Sequence, residues 1–179
     1  MENRIKMFIA TDASYYLGIL KVGEGIRFSD VLNANYSVGP ESFVSKMIQI
    51  EDVKELLTKT GKVIQHKHIM LQTSMIYFAF DIHSDFKGDK MESERARMGI
   101  KLKDKDLIVS LNLLNKLNFQ GKVFGGMPAL NRSRPFIILT NVLFKDLLEE
   151  RRWDIKIPSH LPFVAINKRF VESMSILNK

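Results

Sequence analysis

A chain of 179 residues, 45% hydrophobic and 26% charged, holds enough apolar material for one ordinary domain or two small ones, which argues against wholesale disorder. It has no cysteine, which excludes disulfides, thiolate catalysis and Cys-based zinc or iron–sulfur sites and fits a reducing compartment. The net charge of +7 is uneven: residues 1–83 set nine Lys and Arg against nine Asp and Glu, while residues 107–179 set eleven against five. A basic half suits an acidic partner, either nucleic acid or an acidic protein face.

The opening "MENRIKMFIATD" has no apolar run of the kind a signal peptide needs. No stretch of roughly 18 apolar residues follows, so the expectation is a soluble, cytoplasmic protein with no membrane contact. "IKMFIATDASYYLGIL" alternates in part and reads as strand. Residues 23–33, "GEGIRFSDVLN", form the most motif-like stretch. Ser29 or Asp30 can cap a helical turn there, with Phe28, Val31 and Leu32 facing the core. Arg27 and Asp30 are spaced to pair, and Asn33 with Asn35 favours a left-handed turn. Arg27, Ser29, Asp30 and Asn33 are therefore also a candidate functional turn.

"FVSKMIQIEDV", from Phe43, reads as an aromatic-led strand, although Ile50 to Lys59 also fits a helix. His66-Lys67-His68 puts two imidazoles on one strand face, but no third ligand has convincing spacing, so no metal is expected. No cofactor is expected either. "MIYFAFDI" (75–82) reads as a strand. "SDFKGDKMESERARMGIKLKDKD" (84–106), with 13 charged residues of 23, reads as a solvated connector.

The second half echoes the first. Gly18 follows Ile5 by thirteen residues, and Gly121 follows Ile108 by thirteen; each glycine ends an aromatic-x-Gly triplet. Phe136 leads "FIILTNVLF" as Phe43 leads its strand, and "LPFVAINK" (161–168) matches "MIYFAFDI". "VFGGMP" (123–128) reads as a tight hairpin turn. "VLFKDLLEERRW" (142–153) reads as a short helix or a long hairpin. The fold class expected is mainly β, a β-rich α+β chain of two tandem small β-barrel repeats with a short helical segment each. The first repeat is 1–83, the connector 84–106, and the basic second repeat 107–179. Closure into barrels would remove exposed strand edges.

"GIRFSDVLN" followed by "FVSKMIQIEDV" and "FAFDI" resembles a small, uncharacterised bacterial β-barrel domain with an Arg-x-Ser-Asp-x-Leu-Asn turn, here in tandem. The strand order also resembles Sm-like barrels, and that likeness implies single-stranded RNA binding through loop residues. It covers residues 5–83; residues 108–176 match through "RPFIILTNV" and "PFVAINKRF". In the second copy the turn becomes Asn131-Arg132-Ser133-Arg134-Pro135, without the Asp and the Leu-Asn.

The chain has no G-x-S-x-G elbow, P-loop or H-E-x-x-H, so an enzyme is not expected and no catalytic residue is named. Basic residues beside aromatics carry the binding expectation: Arg132 and Arg134; Arg151 and Arg152 before Trp153; and Lys168 and Arg169 before Phe170. The reading is a non-catalytic interaction module, an adaptor or structural component that meets an acidic protein surface. The alternative is single-stranded nucleic-acid (RNA) binding through the basic second repeat.

Overall fold

The computed structural model describes residues 2–24, 28–33, 47–82, 107–114, 116–131, 133–146 and 160–177. The chain is mainly β, as its short runs of Val, Ile, Phe and Tyr dictate. It divides into two compact units. The first comprises Met1–His83, Ser133–Phe136 and Ala165–Phe170; the second comprises Ser84–Arg132, Ile137–Val164 and Val171–Lys179.

In the first unit the chain runs β1 (Glu2–Ala10), β2 (Ser14–Gly23), α1 (Phe28–Asn33), β3 (Met47–Leu57), β4 (Val63–Gln72), a 3-10 turn (Thr73–Met75) and β5 (Phe78–Asp81). The strands lie in the order β5-β1-β2-β3-β4, and the described pairings are antiparallel. β1 is flanked on both sides, so Met7, Phe8, Ile9 and Ala10 are all buried. The Phe8 ring lies 5.8, 5.9 and 5.0 Å from those of Tyr15, Phe78 and Phe80. Burying each such ring contributes about 1.5–3 kcal/mol. Thr11 closes the β1–β2 turn: its Oγ1 donates to Ser14 O and accepts from Ser14 N. The outer edge of β5 is covered by the end of β9 (His160–Asn167), through Phe78↔Ile166 and Ala79↔Ala165.

The second unit contains β6 (Ile108–Leu113), β7 (Leu117–Val123), α2 (Gly126–Asn131), β8 (Phe136–Asp146) from Ile137 onward, β9 to Val164, and β10 (Val171–Ile176). Its strand order is β10-β6-β7-β8-β9. Val109, Leu111, Leu113, Leu117, Phe119, Leu139, Val142 and Val164 fill its interior.

Each unit carries a β-bulge at a glycine. In the first, Leu17 pairs Lys54 and Ile19 pairs Glu51, so Asp52 and Val53 together oppose Gly18. In the second, Gln120 pairs Leu143 and Lys122 pairs Thr140, so Asn141 and Val142 oppose Gly121. Asp52 and Asn141 take left-handed backbone, φ 50° and 51°, where Asp and Asn are the best-tolerated residues after glycine.

The structure overturns two expectations and decides between the two readings of a third stretch. The described strands do not close: β4 and β10 each have a strand on one side only, so the sheets are open where barrels were expected. Ile50 to Leu57 is strand, not helix, because the bulge shifts the inward phase by one residue and spaces buried Ile50 and Val53 like a helical pair. "VFGGMP" is not a hairpin turn; Gly125 and Gly126, at φ 87° and 63°, lead into α2 instead. Residues 84–106 and 147–153 lie outside the described residues, as do Phe43 and Asn35. Among the described residues no helix is long and apolar enough to cross a membrane.

Candidate functional site

The motif-like turn is α1. Phe28 and Leu32 are buried, Val31 is half-buried, and Asp30 sits exposed in the first turn, where a negative charge complements the helix dipole. Ser29 is half-buried. Helix begins at Phe28, so Ser29 and Asp30 lie inside the first turn, not ahead of it. Arg27 lies outside the described residues. Asn33 does not take the left-handed turn expected of it: it ends the helix, and its Oδ1 accepts a hydrogen bond from Phe136 N at 3.2 Å.

That bond joins the turn to the cationic residues. Phe136 follows Arg134 by two, and Pro135 O accepts from Lys168 N at 2.8 Å. Asn167, 3% exposed, anchors the same segment. Its N donates to Tyr77 O at 2.9 Å, its Nδ2 to Ile76 O at 3.0 Å, and its Oδ1 accepts from Arg169 N at 3.1 Å. The Phe170 ring stacks on Tyr77 at 3.9 Å, and the Arg169 guanidinium carbon is 5.9 Å from the Phe170 centroid. Tyr77 Oη donates to Asp12 Oδ1 at 3.3 Å. Burial, and then the Asp12 charge, push the Tyr77 phenol above its ordinary pKa. Burial also lowers the Lys168 ammonium below the usual lysine value.

The first unit thus brings together Ser29, Asp30 and Asn33 with Arg134, Lys168 and Arg169. The last three were expected in the second repeat, but they belong to the unit built on residues 1–83. The reason is the anchoring of 133–136 and 165–170 by Asn33 and Asn167 side chains. Arg132, Arg151, Arg152 and Trp153 lie outside the described residues.

A second polar cluster was missed in the sequence. Ser14 Oγ donates to Glu55 Oε1 at 2.7 Å, and His66 Nε2 lies 2.7 Å from Glu55 Oε2. Tyr16 also bonds to this carboxylate. Burial pushes the Glu55 carboxyl up, but the bonds from Ser14, His66 and Tyr16, with the His66 charge, outweigh it and hold it below the usual carboxylate value. The carboxylate stands between serine and histidine, whereas nucleophile activation needs the histidine between serine and acid. His68 sits across from Glu51 without joining the cluster. Among the described residues no three His, Cys, Asp or Glu side chains group as a metal would require. The usable signal was "TKTG": a turn there pairs Leu57 with Lys62 and brings Glu55 beside His66.

No protein family, no curated protein and no solved structure matches the chain.

Proposed function

We propose that the chain is a non-catalytic interaction module, an adaptor or structural component working through protein–protein contacts. The observation that carries this is an exposed methionine surface on the first unit. Met47 pairs Gln72 and Met70 pairs Gln49, so both methionines stand diagonally on one face of β3 and β4. They are 41% and 53% exposed, and Met75 in the following turn is 51% exposed. Ile48 and Ile50, on the opposite face, are buried. Unbranched, polarizable methionines suit a surface that moulds to a partner. The test is affinity capture with the Met47→Glu/Met70→Glu double variant. Bound proteins should be lost while folding is retained, and an unchanged bound set would sink the reading.

A second reading, single-stranded nucleic-acid binding, has its own support. Arg134, Lys168 and Arg169 share the first unit with the stacked Tyr77–Phe170 pair. Cations beside ring faces suit phosphates and bases. Binding to a generic oligonucleotide would weaken with salt at a log–log slope of about 0.7 per phosphate contact, and Arg134→Ala would make that slope shallower. No binding at low salt removes this reading.

The two units are also read as copies of one module of two strands, a helix and three strands. The support is the shared strand order, last-first-second-third-fourth, and the matching bulges at Gly18 with Asp52 and Gly121 with Asn141. On this alignment Met47, not Phe43, is the counterpart of Phe136.

A further inference from the structure

β5 and β10 hold the same place in their units, residue for residue. Asp81 pairs Met7, the partner of Gly18, and Ile176 pairs Val109, the partner of Gly121. The next residues repeat one hydrogen bond: Ile82 N donates to Lys6 O at 2.9 Å, and Leu177 N donates to Ile108 O at 2.9 Å. Ser173 and Met174 therefore stand where Phe78 and Ala79 stand. In the first unit those two residues are laddered to Ile166 and Ala165 of β9, its neighbour on the outer side.

On β10 no described strand takes that place. Glu172 to Leu177 are all exposed, with Met174, Ile176 and Leu177 at 45%, 48% and 52%. β9, which covers β5, is the fourth strand of its unit's order, and its counterpart is β4. β4 also has no described strand on its outer side. One chain thus presents both halves of a pairing that it already makes once. An unpaired edge that carries apolar side chains is a template for another strand.

We propose that β10 takes β4 of a second copy of the chain as its next strand, as β5 takes β9. This rests on reading the two units as copies of one module. The contact is head-to-tail, so each pair keeps one free edge of each kind and adds further copies until a ring closes or a fibre grows.

Single substitutions can block each edge. N–H groups alternate sides along a strand, and Leu177 N faces β6, so Met174 N faces outward. Met174→Pro removes that outward donor and leaves the ladder to β6 intact. On β4, Gln72 is the last residue of the strand as Asn167 is of β9, and Asn167 N faces β5, so Gln72 N faces outward and Gln72→Pro blocks that edge. Met174→Lys and Gln72→Glu, the latter set against Glu172, serve in their place if circular dichroism shows either proline variant unfolded. By light scattering, wild type should show multiples of the 20.6 kDa chain mass. Each blocked variant alone should be a single chain, and an equal mixture of the two should form a one-to-one pair through the intact edges. A single-chain mass for wild type at every concentration overturns the proposal. Self-association of the β4-blocked variant alone overturns it as well, since that requires β10 to pair with itself. Partner capture by the blocked variants is read separately and reports on the methionine face, whichever way the mass measurement falls.

Discussion

At Gly18 an added Cβ would stand 2.6 Å from Ile50 Cγ2 and 2.9 Å from Val53 Cγ2, whereas at Gly121 its nearest neighbours are Thr140 O and Val142 Cγ2, both at 3.1 Å. Gly18→Ala should cost about 1–3 kcal/mol by overpacking and Gly121→Ala less, as urea midpoints at constant slope would show. Glu55 gives a prediction in pH. Its carboxyl is held below the value of 4.5 that it regains on unfolding, so it stabilises the fold above that pH and the benefit is lost as pH falls through the lowered value. Melting temperature should drop on the acid side, and Glu55→Gln should flatten that drop. An identical acid limb in the variant would show that the cluster plays no part. Both residues show how much a sequence gives away. Gly18 and Gly121 announced themselves through equal spacing. Glu55 did not, because what it touches depends on the register of three strands.

Among the elements, α1 separates two roles that the sequence left merged. Asp30 is exposed in its first turn, so Asp30→Ala should forfeit the dipole term, about 0.3–1 kcal/mol. Asn33→Ala strands the Phe136 N–H, part-buried and 103 residues away in sequence, and should cost about 1–3 kcal/mol. Chemical denaturation of the two variants checks the order, and an Asp30 effect larger than that of Asn33 would contradict it. The strands were legible because their apolar residues recur in short β-branched and aromatic runs. β3 was ambiguous because the bulge at Asp52 breaks the period of two, and a step of three residues is what a helix shows. Arg134 and Lys168 were legible as cations by type, but the unit they belong to is fixed by a hydrogen bond that Asn33 accepts and one that Asn167 donates, which no local pattern encodes.

On the scale of the whole chain, sequence order and unit membership differ. Residues 84–106, with 13 charges in 23, are the expected first site of proteolytic nicking. The nicked chain should nonetheless elute as one piece, because Ala165–Phe170 belongs to the first unit and is held there by the Asn167 bonds and the Phe170–Tyr77 stack. Two separately eluting folded fragments would refute that composition. The same membership sets a clock on synthesis. When His83 has been made, β5 still lacks the strand that will cover it, and the 87 residues up to Phe170 must follow before the first unit has all its parts. At ribosomal rates that wait is about 4–17 s, longer than many small domains need to fold. The amino-terminal half is therefore obliged to idle on the ribosome with an open edge, and its exposure to chaperones is fixed by translation speed, not by its own folding rate.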